Sequence, residues 1–178
     1  FAAELTDEQV EKLRRDPRVE FIEQDRYLFA DDAVVQEYTS WGIDRIDQRE
    51  GTLDRAYAYS ATGKGVTAYI VDSGISYSHS EFEGRASLGY DFVLEDEPQN
   101  ADPEQEAGED CHGHGTHVAG IVGGKKVGVA KDVQLASVRV LTCEGKSPSS
   151  RVIAAIEWIT NNAKKPAIVN ISLGFGPD

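Results

Sequence analysis

Residues 111–124 read "CHGHGTHVAGIVGG", which places three histidines and one cysteine within seven positions, ahead of small and apolar residues. Two kinds of chemistry fit such a cluster. Cys111, His112, His114 and His117 are acceptable zinc ligands. However, alternating C-H-x-H spacing with intervening glycines matches none of the usual ligand spacings, such as C-x₂-C or H-E-x-x-H. The other chemistry is proton transfer by one histidine, which needs a carboxylate to fix its tautomer and stabilise the imidazolium. "VTAYIVDSG" supplies one, because Asp72 stands just beyond an apolar run, where α/β sheets collect ligands and catalytic groups. An isolated aspartate there would be an ordinary turn residue. Paired with His114, which opens "HGTH", it makes two thirds of a charge-relay constellation. His117 stands one turn into the helix that follows, where a packed histidine is the commoner outcome.

The surrounding elements decide whether the two can meet. "VTAYIVD" (66–72), "VQLASVRVL" (133–141) and "AIVNISLG" (167–174) are short β-rich runs that end in small or polar residues. Helices are expected between them. One starts near His114, with Val118, Ala119, Ile121 and Val122. The other follows Ser147-Pro148, with Val152, Ile153, Ile156 and Ile159 as its apolar stripe. Strands alternating with helices imply βαβ units and a buried parallel sheet, an α/β fold. No internal repeat is present.

Upstream, "LTDEQVEKLRRDP" carries a helix start with Thr6 as N-cap, Gln9 three residues on, and Leu5 facing Val10 as a staple. Val10 and Leu13 mark its apolar face, and Asp16-Pro17 ends it. "RVEFIEQDRYLF" then alternates like a half-buried strand over 18–29. One helix and one strand cannot close a core, so residues 1–29 are expected to end a domain that begins earlier. Residues 30–40 have no period and read as a linker. The stretch 91–110 holds nine acids and no base, and reads as a solvated surface loop, with an acidic metal site or an adaptation to high salt as the alternatives.

The chain has 178 residues, 40% of them hydrophobic, enough for one sizeable core plus a small appendage. Its net charge of −13, from 18 basic and 31 acidic residues, argues against nucleic acid and anionic membranes as partners. No apolar run approaches the roughly 20 residues of a membrane span. Without a starting methionine or a charged-then-apolar leader, Phe1 does not read as a translation start, and the chain is expected to begin inside a longer one.

The runs "WGIDRIDQREGTLDRAYAYSATGKGVTAYIVDSGISYSHSEFEGRA", "HGHGTHVAGIVGG", "GVAKDVQLASVRVL" and "VNISLG" together resemble the subtilisin-like serine proteases, and within them the proteinase K/aqualysin branch. The resemblance covers 41–178, apart from the longer acidic loop. Residues 1–29 resemble the C-terminal part of that family's inhibitor propeptide, which typically ends like "VEFIEQD". The resemblance implies the N-terminal half of a subtilisin-like sheet with flanking helices in 34–178, and a propeptide end with its linker in 1–33. It assigns Asp72 and His114 as catalytic residues. It assigns Glu144, Gly145 and Lys146 as the strand edge that pairs with an extended peptide, and Ser172, Leu173 and Gly174 as the segment beside the scissile bond. The physics of such binding is β-augmentation.

The same resemblance implies further features. Spacing leaves Cys111 and Cys143 open to being bridged or free, and the family likeness pairs them in a disulfide, consistent with secretion. "DRIDQREGTLD" offers Asp44, Asp47, Gln48 and Asp54 as hard oxygen ligands for a structural calcium, as similar positions do in some relatives. A solvated helical turn after Trp41 is the alternative. No catalytic metal is implied. Counting back from Trp41 places the processing cut at Ala33–Val34. The family's nucleophilic serine, in a "GTSMA"-like motif, and its oxyanion-hole asparagine normally lie beyond "SLG" and are absent from these 178 residues. The chain therefore reads as a precursor fragment of a secreted endopeptidase, inactive alone. Its partners would be polypeptide substrates, its own propeptide and the missing C-terminal half. The alternative is a non-catalytic module, with a propeptide-like inhibitor fused to a degenerate protease half. In that module Asp72 and "HGTH" have no evident task.

Overall fold

The structure, a computed structural model, describes residue 3 and residues 5–22, 33–96 and 106–174. It divides into two compact units, Phe1–Asp32 and Ala33–Asp178. In the first, α1 (Asp7–Arg14) opens with the expected capping box: Gln9 N–H donates to Thr6 Oγ1 at 3.3 Å, and Thr6 N–H donates to Gln9 Oε1 at 2.8 Å. Acids in its first turn and bases in its last suit the helix dipole. The strand expected over 18–29 is not formed at 18–22, where no described segment of this unit offers a ladder partner. Residues 23–29 lie outside the described residues.

The second unit contains β1 (Val34–Glu37), α2 (Trp41–Asp47), β2 (Ala56–Tyr59), β3 (Thr67–Asp72), β4 (Ala86–Asp91), α3 (Phe92–Asp96), α4 (His114–Gly123), β5 (Gln134–Arg139), α5 (Ser149–Asn162) and β6 (Ala167–Ile171). Four strands form a parallel sheet in the order β4-β5-β3-β6. Because side chains alternate along a strand, β3 feeds two cores. Ala68 and Ile70 pack with Val118 and Ala119 of α4 on one face. Tyr69 and Val71 pack with Ala155 and Ile159 of α5 on the other. The chain leaves β3 toward β4 and β5 on one side and returns with β6 on the opposite side. The carboxyl end of β3 is therefore a topological switch point, where open α/β sheets bind ligands.

Three sequence expectations need correction. Within the supposed linker 30–40, residues 34–37 form β1, paired antiparallel with β2 from Val34↔Tyr59 to Glu37↔Ala56. This ladder is held by backbone bonds while Val34 and Val35 stay more than half exposed, so it leaves no burial period to read. Strand β4, "ASLGYD", was not identified: it contains a glycine, and its register slips between Leu88 and Tyr90. Helix α5 buries Arg151, Ala155 and Ile159 and leaves Ile153 at 64% exposure and Ile156 exposed, a rotation of the expected stripe. The pivot is Arg151, whose guanidinium donates to the Val140 carbonyl at 3.3 Å.

Ile70, fully buried at the centre of the sheet, tests this architecture. Ile70→Ala in the full-length protein should lower unfolding free energy by about 2–5 kcal/mol, read from urea or thermal unfolding.

Candidate active site

Asp72 is the last residue of β3 and is fully buried. Its even position puts it on the same face as Ala68 and Ile70, the face that α4 covers. Its backbone carbonyl accepts from Val140 and Leu141 N–H, which anchors it to the end of β5. Its Oδ1 accepts from Ser73 N–H and lies 2.8 Å from His114 Nδ1. The other oxygen, Oδ2, is buried and has no hydrogen-bond partner among the described residues. The His114 side chain is 42% exposed. With the carboxylate ionised, Nδ1 carries the proton and the Nε2 lone pair is left on the open side of the ring. That is the arrangement of a general base.

Close packing brings the two together. A Cβ on Gly115 would fall 2.2 Å from the Gly74 carbonyl oxygen and 3.1 Å from Asp72 Cβ. Only glycine lets the first turn of α4 come this near to the end of β3. Gly113, the N-cap of α4, has no side chain to cap with. The amides of the first turn are met from elsewhere: Gly115 N–H by Ser73 Oγ at 3.0 Å, and Thr116 N–H by Asp110 Oδ2 at 2.8 Å.

Asp110 was missed when the acidic run was read as uniformly solvated. Burial pushes its carboxyl pKa up, but hydrogen bonds from Thr116, Gly113 and Ser73 outweigh that and hold it below the usual carboxylate range. This contribution to stability is present above the ordinary carboxylate pKa and is lost as pH falls through the lower folded-state value. The sequence signal was its place three residues before Gly113, the spacing at which an aspartate caps following backbone amides. The other end of the run is also built in. Asp91 Oδ1 accepts from Val93 and Leu94 N–H, its Oδ2 accepts from Gly108 N–H, and the Arg139 guanidinium lies 3.5 Å away. Residues 97–105 lie outside the described residues.

Cys111 is bonded to Cys143, with Cα atoms 5.1 Å apart, so it offers no thiolate. His117 is exposed on α4. The His112 ring lies 6.3 Å from that of His114, and a Cβ on Gly145 would meet its Nε2 at 2.8 Å. Residues Glu144–Lys146, expected as a strand edge, instead follow the disulfide in a turn, because Gly145 N–H donates to Thr142 O and Thr142 N–H donates to Lys146 O. Ser172–Gly174 follow β6, whose Ile171 is level with Val71; Ser172 Oγ accepts from Asn170 Nδ2, and Leu173 packs on the α5 side of the core. Both segments thus leave the sheet at the same end as Asp72, from the strands on either side of it. The bond Ala33–Val34 lies at the start of β1, with both residues exposed.

The residues named for calcium are not gathered into a ready metal cluster. Asp44 accepts from Asp54 and Arg55 N–H through its two oxygens, Asp47 Oδ2 accepts from Ala58 N–H at 2.6 Å, and Asp54 Oδ1 accepts from Ala56 N–H. The Gln48 carbonyl accepts from Arg45 Nη1. The Asp44 and Asp47 bonds staple α2 to β2 and the residues leading into it. Among the described residues, no three His, Cys, Asp or Glu side chains are placed to hold a metal ion. Asp47 Oδ1 is nevertheless buried with no partner there.

The disulfide ties the segment leading into His114 to the one leading into Glu144 across a separation of 32 residues. Replacing both cysteines by serine in the full-length protein should cost about 3–4 kcal/mol of unfolding free energy by loop entropy, measurable by denaturant titration.

Comparison with known proteins bears on this geometry. Residues 63–177 match the subtilase family, and residues 1–31 match peptidase inhibitor I9. The chain is 50% identical over 175 residues to an extracellular serine proteinase of Thermus sp. strain Rt41A, covering 98% of this chain and 40% of the relative. It is 49% identical over 180 residues to alkaline serine exoprotease A of Vibrio alginolyticus, covering 99% of this chain and 32% of the relative. It thus spans roughly a third to two fifths of these relatives' length. Among solved structures, a cold adapted subtilisin-like serine proteinase superposes with a TM-score of 0.70 at 46% identity, over 80% of this chain and 49% of that one. The α/β architecture described above is a partial subtilisin-like fold, and the chain belongs to the subtilase family.

Proposed function

We propose that these residues come from the precursor of a secreted serine endopeptidase. Residues 1–33 would be the end of an inhibitory propeptide with its linker, and 34–178 the N-terminal half of the peptidase domain. The observation that carries the reading is the Asp72–His114 pair: a fully buried carboxylate 2.8 Å from an imidazole open on its other side, at the switch point of a parallel sheet. The propeptide assignment is supported by the inhibitor match ending at residue 31 and by the unit boundary after Asp32. Secretion is supported by the disulfide and by the likeness to the extracellular serine proteinase of Thermus. No described helix is long and apolar enough to cross a membrane.

In this mechanism His114 Nε2 removes the proton from a serine hydroxyl that the remaining part of the domain supplies. The oxygen attacks the peptide carbonyl while Asp72 holds Nδ1–H and stabilises the imidazolium. His114 then returns the proton to the departing amine, the C–N bond breaks, and an acyl-enzyme remains. Water, deprotonated by the same imidazole, releases the acid and regenerates the hydroxyl. The polypeptide substrate would lie extended between Glu144–Lys146 and Ser172–Gly174, paired through its backbone. Cleavage at Ala33–Val34 would free the mature N-terminus.

The full-length protein should hydrolyse casein and a peptide anilide, be blocked by a fluorophosphonate, and yield a product that begins at Val34 on N-terminal sequencing. His114→Ala should lower kcat on the order of 10⁴–10⁶-fold, the loss known for removing triad members from serine proteases. His112→Ala should leave the full-length enzyme active, and the 178-residue chain alone should be inactive. Fluorophosphonate-sensitive hydrolysis by the short chain, or activity surviving His114→Ala, would overturn the reading.

Calcium belongs to the same proposal. Its support is Asp47 Oδ1, which is buried with no hydrogen-bond partner among the described residues. Calorimetric titration of the metal-stripped full-length protein should lose one calcium equivalent on Asp47→Ala. An unchanged stoichiometry would remove calcium from this loop.

A further inference from the structure

We infer that Asp110 is a positioning residue for the Asp72–His114 pair, holding the end of β3 and the first turn of α4 in one register. The inference rests on the peptidase reading above and adds a residue that reading does not use. The two groups belong to different elements, so their 2.8 Å contact depends on how far α4 slides along β3. Asp110 bridges both elements directly. Its Oδ1 accepts from Ser73 Oγ at 2.8 Å, and Ser73 directly follows Asp72 in the chain. The single hydroxyl proton of Ser73 is thereby committed to Asp110. A lone pair is left for Gly115 N–H, the residue after His114. A second bridge runs through Oδ2, which accepts from Thr116 N–H and Thr116 Oγ1, while Thr116 Oγ1 accepts from Ser76 N–H at 2.9 Å. Oδ1 also takes His112 and Gly113 N–H, the two amides ahead of His114. One carboxylate therefore receives bonds from both sides of the base and from the residue that directly follows its partner Asp72. A misplacement near 1 Å is enough to cost about a hundredfold in rate.

The test uses the full-length enzyme with Asp110→Ala, Asp110→Asn, Ser73→Ala and the Asp110→Ala/Ser73→Ala double variant. Asp110→Ala should lower kcat about ten- to a hundredfold with KM changed less than about threefold. Asp110→Asn, which keeps the shape and one acceptor, should fall between it and wild type. If Asp110 acts through Ser73, the double variant should be no slower than Asp110→Ala. Proton NMR should show the low-field His114 Nδ1–H resonance moved or lost in Asp110→Ala. A loss of stability with kcat and this resonance unchanged would overturn the inference, as would additive losses in the cycle. If Asp110→Ala does not fold, Asp110→Asn carries the same readouts. Activity that survives His114→Ala would defeat the peptidase reading instead, and the NMR resonance would still decide whether Asp110 positions the pair.

Discussion

Removing an ionised carboxylate from water costs several kcal/mol unless hydrogen bonds replace the lost hydration. Asp72 is in that position, fully buried at the end of the strand that lies between β5 and β6. Its compensating donors are Ser73 N–H and the ring of His114. The second of these belongs to another element, so satisfying the buried charge requires α4 to sit at one height above the sheet. The absence of a side chain on Gly115 permits that approach, and the Ser73–Asp110–Thr116 bonds meet the amides it would otherwise leave open. Site geometry and helix packing are thus one constraint.

The parts legible in the sequence are those where side-chain pattern and buried position coincide. "VTAYIVD" reads as a buried parallel strand because both of its faces are covered, and it becomes β3 within one residue. "HGTH" marks the start of α4, and the two motifs single out Asp72 and His114. Patterns failed where backbone bonds or polar side chains do the holding. Strand β1 exists through its ladder with β2 while its valines face outward. Helix α5 turns a guanidinium inward to a carbonyl, so hydrophobicity alone chose the wrong stripe. Asp110 lay in a run of nine acids, and charge counting cannot tell a solvated carboxylate from one that accepts five hydrogen bonds.

The disulfide extends the same logic to the proposed substrate-binding arms. Beneath it runs Arg139, buried, with its guanidinium 3.0 Å from Cys111 Sγ and 3.5 Å from the Asp91 carboxylate. Asp91 in turn holds Gly108, whose carbonyl accepts from Ile75 N–H and Ser137 Oγ. The two ends of the acidic run are therefore fastened to the floor of the site, whatever path 97–105 takes. A side chain on Gly74 would meet the Glu109 backbone at 2.5 Å, so the returning end of the run packs directly on the loop after Asp72.

Like Asp47 Oδ1, Asp72 Oδ2 is buried with no hydrogen-bond partner among the described residues. A fold selected for stability alone would favour a neutral or apolar side chain here, because an unsatisfied buried acceptor costs about 1–3 kcal/mol. A neutral amide would relieve that demand but would hold the imidazole in the wrong tautomer, with no charge to stabilise the imidazolium. The carboxylate is thus the residue that the proposed chemistry needs and that folding by itself disfavours. Its cost is borne by the most deeply packed part of the molecule, β3 between its two cores, where the surrounding structure can hold it in place.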